Sequence, residues 1–187
     1  MRSVQPIILR HSYTRRRDVA RAALRYYQMR PRGEGEPPRS LFTKGGTISR
    51  AEAGRMLDDH QAHAYLAHRL MLSPPAGQHP DDLPALTRHV MRELEREKRQ
   101  TLHWVAVEHR NTAHPHVHVL LCGGGEQGDA VREVRLDRRD HAQIKEDGMD
   151  YCRLAGRIRE GWDAALVRAA AEHDRAGMRS GLADRDR

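Results

Sequence analysis

The run EHRNTAHPHVHVLL, Glu108 to Leu121, constrains the fold of this chain more than any other segment. In an extended strand successive side chains point to opposite faces, so His116, His118 and Leu120 share one face and Val117, Val119 and Leu121 the other. The valine face belongs in a core. The preceding stretch, Leu102 to Glu108, is also strand-like, and in its alternation His103, Val105, Val107 and His109 fall together. A hairpin closing through Asn111 to Pro115 therefore brings His109 beside His116 and His118. Three imidazole nitrogens leave open coordination positions on a divalent cation, which then accepts phosphate oxygens and offsets the charge developing on a phosphodiester under attack. A bare H-x-H pair reads equally well as two solvent-facing side chains on an edge strand. The third histidine is what favours a metal site.

The rest of the chain reads as one domain of 187 residues in which strands and helices intermix. Val4 to Leu9 suits a first strand, and after the basic run Arg15 to Arg17 a helix opens at Asp18 and runs to Met29. Pro31, Gly33, Gly35, Pro37 and Pro38 make the stretch to about Gly46 a loop. Ser49 and Glu52 resemble a capping box that opens a helix reaching toward Tyr65. Ala67 to Leu72 is a strand, and Asp81 and Asp82 open a helix through Leu83, Leu86, Val90, Met91 and Leu94. Gly123 to Gly128 reads as a glycine-rich turn, Val131 to Leu136 as a strand, and from about Asp140 a long helix carries Ile144, Met149, Tyr151, Leu154, Ile158, Trp162 and Leu166. The expected architecture is α/β of the α+β type, a central antiparallel sheet of about five strands flanked by helices. Residues 1–175 form the domain and 176–187 a charged, frayed tail.

Net charge is +7 with a pI near 10.0, a surplus that fits a polyanionic partner, nucleic acid first among them. All but three of the 33 cations are arginine, the better bidentate phosphate binder. An arginine-rich solvated surface is the competing account of the same number. Cys122 and Cys152 lack metal-ligand or redox spacing and read as reduced thiols. No apolar run approaches membrane-spanning length, so the expectation is a cytoplasmic protein with no membrane insertion. His60, His63 and His68 read as surface or substrate-facing side chains, and His103 as packing.

Five segments in order resemble the conjugative and mobilisation relaxases, which are HUH endonucleases. LRYYQ is similar to the family's N-terminal nucleophile motif, AHRLMLSP to its next strand and LTRHVMRELE to its helix. LHWVAVEHRNTAHPHVHVLL resembles the three-histidine motif, and VREVRLDRRDHAQIKEDGMDYCRLAG the strand and helix beyond it. The resemblance spans Val4 to about Arg159. It implies an antiparallel sheet with the histidines on its two central strands, and a tyrosine that attacks one DNA strand at a transfer origin. The products are a 5′-phosphotyrosine and a free 3′-hydroxyl, and reversal reseals the strand. Carried over by position, the nucleophile is Tyr26 or Tyr27, with Tyr26 preferred because Leu24 and Arg25 precede it. The metal ligands are His109, His116 and His118, and the ion is manganese or magnesium. Accessory nicking and coupling proteins are implied partners beside single-stranded DNA.

Arg15, Arg16, Arg17, Arg25, Arg30, Arg39 and Lys44 flank the tyrosines and are the expected DNA contacts. Arg25 and Arg30 could also favour a phenolate, since a phenol near its usual pKa of about 10 is a weak nucleophile. Two departures from the family pattern stand out. Asn111 occupies the place where many members carry an aspartate, leaving Glu108 as the nearest acid, on the opposite strand face from His109. Many relaxases also continue into helicase, primase or membrane-coupling regions, so the sequence corresponds to a minimal relaxase or to a fragment of a longer one. Two other enzyme readings stay open. Replication initiators and transposases of the HUH group carry the tyrosine on a helix after the histidines, where Tyr151 lies. His114, His116 and His118 also fit the alternating run of the histidine-triad nucleotide hydrolases, whose middle histidine is the nucleophile. A non-enzymatic basic DNA-binding module is the third alternative.

Overall fold

The computed structural model describes residues 6–29, 37–62, 64–75, 82–110 and 112–183, with backbone alone for 162–164 and 166–183. Arg30, Asn111, His63 and the start of the expected first strand lie outside these residues. Four helices and eight strands are present among them: β1 Ile8–Thr14, α1 Arg17–Met29, β2 Leu41–Thr43, β3 Gly46–Ile48, α2 Arg50–Asp59, β4 Ala67–Ser73, α3 Leu83–Lys98, β5 Trp104–His109, β6 His116–Cys122, β7 Gly124–Gln127, β8 Ala130–Glu133 and α4 Arg138–Ala183. Six strands form a wholly antiparallel sheet in the order β1-β4-β6-β5-β2-β3, and β7 and β8 form a separate hairpin.

The helix ends follow the sequence chemistry. Ser49 accepts from Glu52 N (3.2 Å) while Glu52 Oε2 accepts from Ser49 N (2.7 Å), so the expected capping box opens α2. Asp82 caps α3 through Ala85 N, and Arg99 ends it in the left-handed region at φ 52°. α2 stops at Asp59, well short of Tyr65.

Alternation along the strands splits the core in two. On one face Leu70, Leu72, Val117, Val119, Leu121, Trp104, Ala106 and Phe42 pack under α3 and the start of α4, through Leu86, Val90, Met91, Ile144 and Met149. On the other face Ala67, Val105, Val107 and Leu120 meet Ala20 and Leu24 of α1 and Ala53 and Leu57 of α2. The two central strands, β5 and β6, are buried on both faces.

The structure departs from the sequence expectation in four places. The sheet has six strands because Leu41–Thr43 and Gly46–Ile48, expected as loop, form a short hairpin that pairs Leu41 with Val107 on β5. Leu41 and Phe42 are buried by that pairing, a long-range gain that local turn signals do not reveal. The glycine-rich turn is strand β7, where close approach excludes side chains: a Cβ on Gly124 would lie 2.9 Å from Val131 Cγ1 and 3.0 Å from the His60 carbonyl. Its partner β8 belongs to that hairpin and not to the main sheet. Finally, α4 continues through the expected frayed tail to Ala183, consistent with the high helix propensity of its many alanines. The chain divides into compact units at Cys152 and Arg153.

A histidine chain joins β1, β4 and α4. His68, expected on the surface or facing a substrate, is buried and its Nε2 donates to the Val134 carbonyl (2.9 Å). Its Nδ1 must then accept from His11 Nε2 (3.0 Å), and His11 Nδ1 from His141 Nε2 (2.8 Å). This order keeps the His68 and His11 rings neutral, since each uses one nitrogen as an acceptor. Accordingly burial, then the neighbouring His68 and His141, hold His11 down at about 4.

Two outcomes test this packing. Gly123→Ala would place a Cβ 1.6 Å from the Tyr65 carbonyl oxygen and should cost about 3 kcal/mol or more. Gly156→Ala meets nothing within 4 Å on its helix and should stabilise by roughly 0.5–1 kcal/mol, both read by thermal melting. Because the pKa of His11 is lower folded than unfolded, the unfolded chain binds more protons between about 4 and 6.5. The Tm should therefore fall as pH drops through that window, and His11→Gln should flatten the fall.

Candidate metal and DNA-processing site

The antiparallel register of β5 and β6 sets His109 directly opposite His116 and Val107 opposite His118. All three histidines lie on the α1 side of the sheet. His109 is fully buried, His116 nearly so and His118 partly exposed, so the cluster opens to solvent on one side only. One ring nitrogen from each lies within 4.8 Å of the others, and the ring centroids are 4.8 to 5.1 Å apart.

Hydrogen bonds orient two of the rings. His116 Nδ1 donates to the His114 carbonyl (2.8 Å), leaving Nε2 as its acceptor nitrogen, 3.2 Å from His118 Nε2. His109 Nε2 donates to the Tyr27 carbonyl (2.8 Å), leaving Nδ1 as its acceptor. Such outer hydrogen bonds fix ligand tautomers in metal sites. The 3.2 Å nitrogen separation is close to the roughly 3.4 Å edge of a tetrahedron of ligands about 2.1 Å from a metal. The donor set therefore fits a divalent cation.

Helix α1 brings in the tyrosine. Ala20 and Leu24 anchor it in the core, and Tyr27 lies three residues beyond Leu24 on the same helical face. Its ring stacks on His118, centroids 4.1 Å apart and planes 7° apart. Tyr26 turns away: it is 55% exposed, and its ring is 6.1 Å from that of Tyr27. The geometry thus favours Tyr27, where the motif pattern prefers Tyr26. Burial pushes the Tyr27 phenol up, and the Arg69 guanidinium pulls it back down.

Arg69 is the residue that sequence reading passes over. It sits mid-strand in β4 and, with Arg10, Ser12, Tyr27 and His118, lines a cleft of about 270 Å³. Its Nε is buried without a hydrogen-bond partner. A cation among the alternating apolar residues of AHRLMLS was the available signal, since a strand buries charge only at a cost.

The remaining expected residues are scattered. Arg15 Nε donates to the Ala64 carbonyl (2.9 Å), Arg16 pairs with Asp18, and Arg17 and Arg21 both bind Asp58. Arg25 is exposed on α1. Arg39 is buried and lines a different cleft, of about 420 Å³, together with Glu108 and Arg88. Lys44 holds Glu95 (3.0 Å). Glu108 opposes Val117 on the far face of the sheet and pairs with Arg110 (2.5 Å), so it does not reach the histidines. His114 is exposed in the loop before β6; its carbonyl, not its ring, orients His116. Tyr151 packs near His89 (5.3 Å) against the core of the opposite face. No helix among the described residues is long and apolar enough to cross a membrane.

The fold is shared with solved relaxases. A structure concerned with vancomycin resistance transfer in Staphylococcus aureus matches with a TM-score of 0.56 at 12% identity, over 83% of this chain and 94% of that one. The conjugative relaxase TrwC in complex with oriT DNA, in its metal-bound form, matches with a TM-score of 0.56 at 15% identity, over 81% of this chain and 70% of that one. TrwC with a 27-mer comprising the recognition hairpin and cleavage site gives 0.53 at 14% identity, over 81% and 69%. No curated protein sequence matches. The family model for the MobA/VirD2-like relaxase nuclease domain matches residues 48–147, from the end of β3 through the histidine hairpin into α4, and the chain belongs to that family.

Proposed function

We propose that the protein nicks and rejoins one strand of DNA at a transfer origin through a covalent 5′-phosphotyrosine on Tyr27. The stacking of Tyr27 on His118 carries this reading, because it sets a phenol against one of the three clustered histidines, in a cleft that both residues line. His109, His116 and His118 would hold a divalent ion, manganese or magnesium, which when bound supplies positive charge to a phosphodiester oxygen. Arg69 favours the Tyr27 phenolate electrostatically, and with Arg10 gives the cleft two cations for the DNA backbone. Attack by the phenolate oxygen on phosphorus breaks the bond to the 3′ oxygen, which leaves as the 3′-hydroxyl after taking a proton. Tyr26, exposed beside the cleft, is available to stack on a base. The transfer-origin substrate and accessory proteins extend the family reading to this chain.

Neither enzyme alternative has the same support. Tyr151 lies on the other side of the sheet from the histidines, against the initiator or transposase arrangement. His114 lies outside strand β6, so the three alternating histidines of a triad hydrolase do not form one face.

Tyr27→Phe should abolish the protein–oligonucleotide adduct that survives denaturing electrophoresis, while Tyr26→Phe and Tyr151→Phe keep it. An adduct retained by Tyr27→Phe and lost from Tyr26→Phe would reverse the assignment. Chelation should suppress the adduct and manganese restore it. A second measurement isolates Arg69. In the difference between ultraviolet titrations of the wild type and Tyr27→Phe, the metal-free Tyr27 phenol should ionise above the ordinary value of about 10. Arg69→Met should move it higher still, since it removes the cation that, among the described residues, favours the phenolate. A Tyr27 that titrates unchanged in Arg69→Met would remove Arg69 from this role.

A further inference from the structure

A second group of potential ligands lies away from the triad, at the junction of three elements. His60 caps the C-terminus of α2, His103 immediately precedes β5, and Glu126 lies on β7. One ligand atom from each falls within 4.8 Å of the others. Glu126 Oε1 is 3.6 Å from His60 Nε2 and 3.3 Å from His103 Nε2. Ligands about 2.1 Å from a tetrahedral ion are separated by roughly 3.4 Å, and both distances bracket that edge.

The hydrogen bonding gives the cluster its direction. His60 Nδ1 donates to the Met56 carbonyl (3.1 Å), so a neutral His60 turns the lone pair of Nε2, not a proton, toward the carboxylate. His103 Nε2 is buried, with Glu126 Oε1 3.3 Å away. The two rings stack with centroids 3.5 Å apart and planes 25° apart. Charging both rings at that separation would set two cations face to face. A single cation bound to Glu126 and to both Nε2 atoms would draw the rings out of this stack, because each lone pair lies in its own ring plane, and it would satisfy all three groups at once.

The backbone around the group is fixed independently. Thr101 and Glu126 exchange backbone hydrogen bonds (2.8 and 3.0 Å), and Gly124 N donates to the His60 carbonyl (2.8 Å). The ligands are therefore held by chain contacts before any ion arrives, as a preorganised site requires. Lys44, a cation that acts on His103, is held by Glu95 (3.0 Å).

We propose that His60, His103 and Glu126 form a second divalent-cation site, of the zinc type, that clamps the β7–β8 hairpin to the end of α2 and the start of β5. Two imidazoles and a carboxylate at near-tetrahedral spacing are a ligand set that zinc takes. The site lies on elements other than those carrying Tyr27; its three protein ligands leave one position of a tetrahedral ion open to water, and the ion tethers the hairpin beside the strand that ends in His109.

The test is equilibrium dialysis of the full chain against zinc, with bound metal measured on protein shown to be folded by circular dichroism. The wild type should bind two equivalents. Glu126→Gln and His60→Gln should each bind one, the affinity of the lost equivalent falling by more than the roughly 10–100-fold that loss of an outer-shell partner costs. The His116→Ala/His118→Ala variant should keep one equivalent, and zinc should raise its Tm; adding Glu126→Gln should abolish that rise. Binding unchanged by Glu126→Gln and His60→Gln would overturn the proposal. A wild type that binds one equivalent, lost on Glu126→Gln and kept in the His116→Ala/His118→Ala variant, would support this site and count against zinc at the triad.

Discussion

Everything at the site depends on the register between β5 and β6. Residues on a strand alternate faces, so a slip of one residue would carry His116 and His118 to the α3 side and Val117, Val119 and Leu121 to the α1 side. Such a slip would leave Trp104 and Ala106 in that core without the apolar β6 neighbours they share it with and set histidines in their place. Burying one such side chain is worth about 1.5–3 kcal/mol, so the misregistered pairing loses on the order of several kcal/mol. The hydrophobic residues on one face thus hold the imidazoles on the other. The polar groups then fine-tune what the core imposes, with the His114 and Tyr27 carbonyls setting which nitrogen of His116 and His109 remains an acceptor.

The same coupling of core to chemistry runs through α1. Ala20 and Leu24 fix the helix rotation, and a 3.6-residue period then decides that Tyr27 faces the sheet and Tyr26 does not. This was legible in the sequence as Ala20, Leu24 and Tyr27 at spacings of four and three. A comparison of local motifs, which weighs only the residues beside each tyrosine, points to Tyr26 instead. Periodicity tells which tyrosine faces the sheet because burial against β5 and β6 orients the helix, whereas a preceding arginine does not.

What was readable was local or alternating: the histidine hairpin, the capping box at Ser49 and Glu52, the strand at Ala67 and the helix after Asp82. What was hidden was made by contacts distant in the chain. β2 has three residues and exists because it lies against β5, more than sixty positions away by the pairing of Leu41 with Val107. His11, His68 and His141 form one hydrogen-bonded chain that no spacing rule connects. His60 and His103 stack although one reads as a surface residue and the other as packing. Arg69 was visible as an anomaly, a charge inside an apolar alternation, but its meaning depended on knowing which helix covers that face.

Charge shows the same limit of a one-dimensional reading. A net +7 and the Arg15 to Arg17 run suggest a basic clamp beside the tyrosines, yet Arg16 and Arg17 meet Asp18 and Asp58 and Arg15 binds a carbonyl. A cation already engaged by a carboxylate contributes less to displacing counterions from a phosphate backbone than one with no acid partner. The cations that line the cleft with Tyr27 and His118 are Arg10 and Arg69, on neighbouring strands β1 and β4. Strands hold side chains more rigidly than a loop does, so charge placed there costs less ordering when a strand of DNA binds. Under the proposed function the positive charge that would meet the phosphate is therefore built into the sheet, on the same face that the β5–β6 register gives to the histidines.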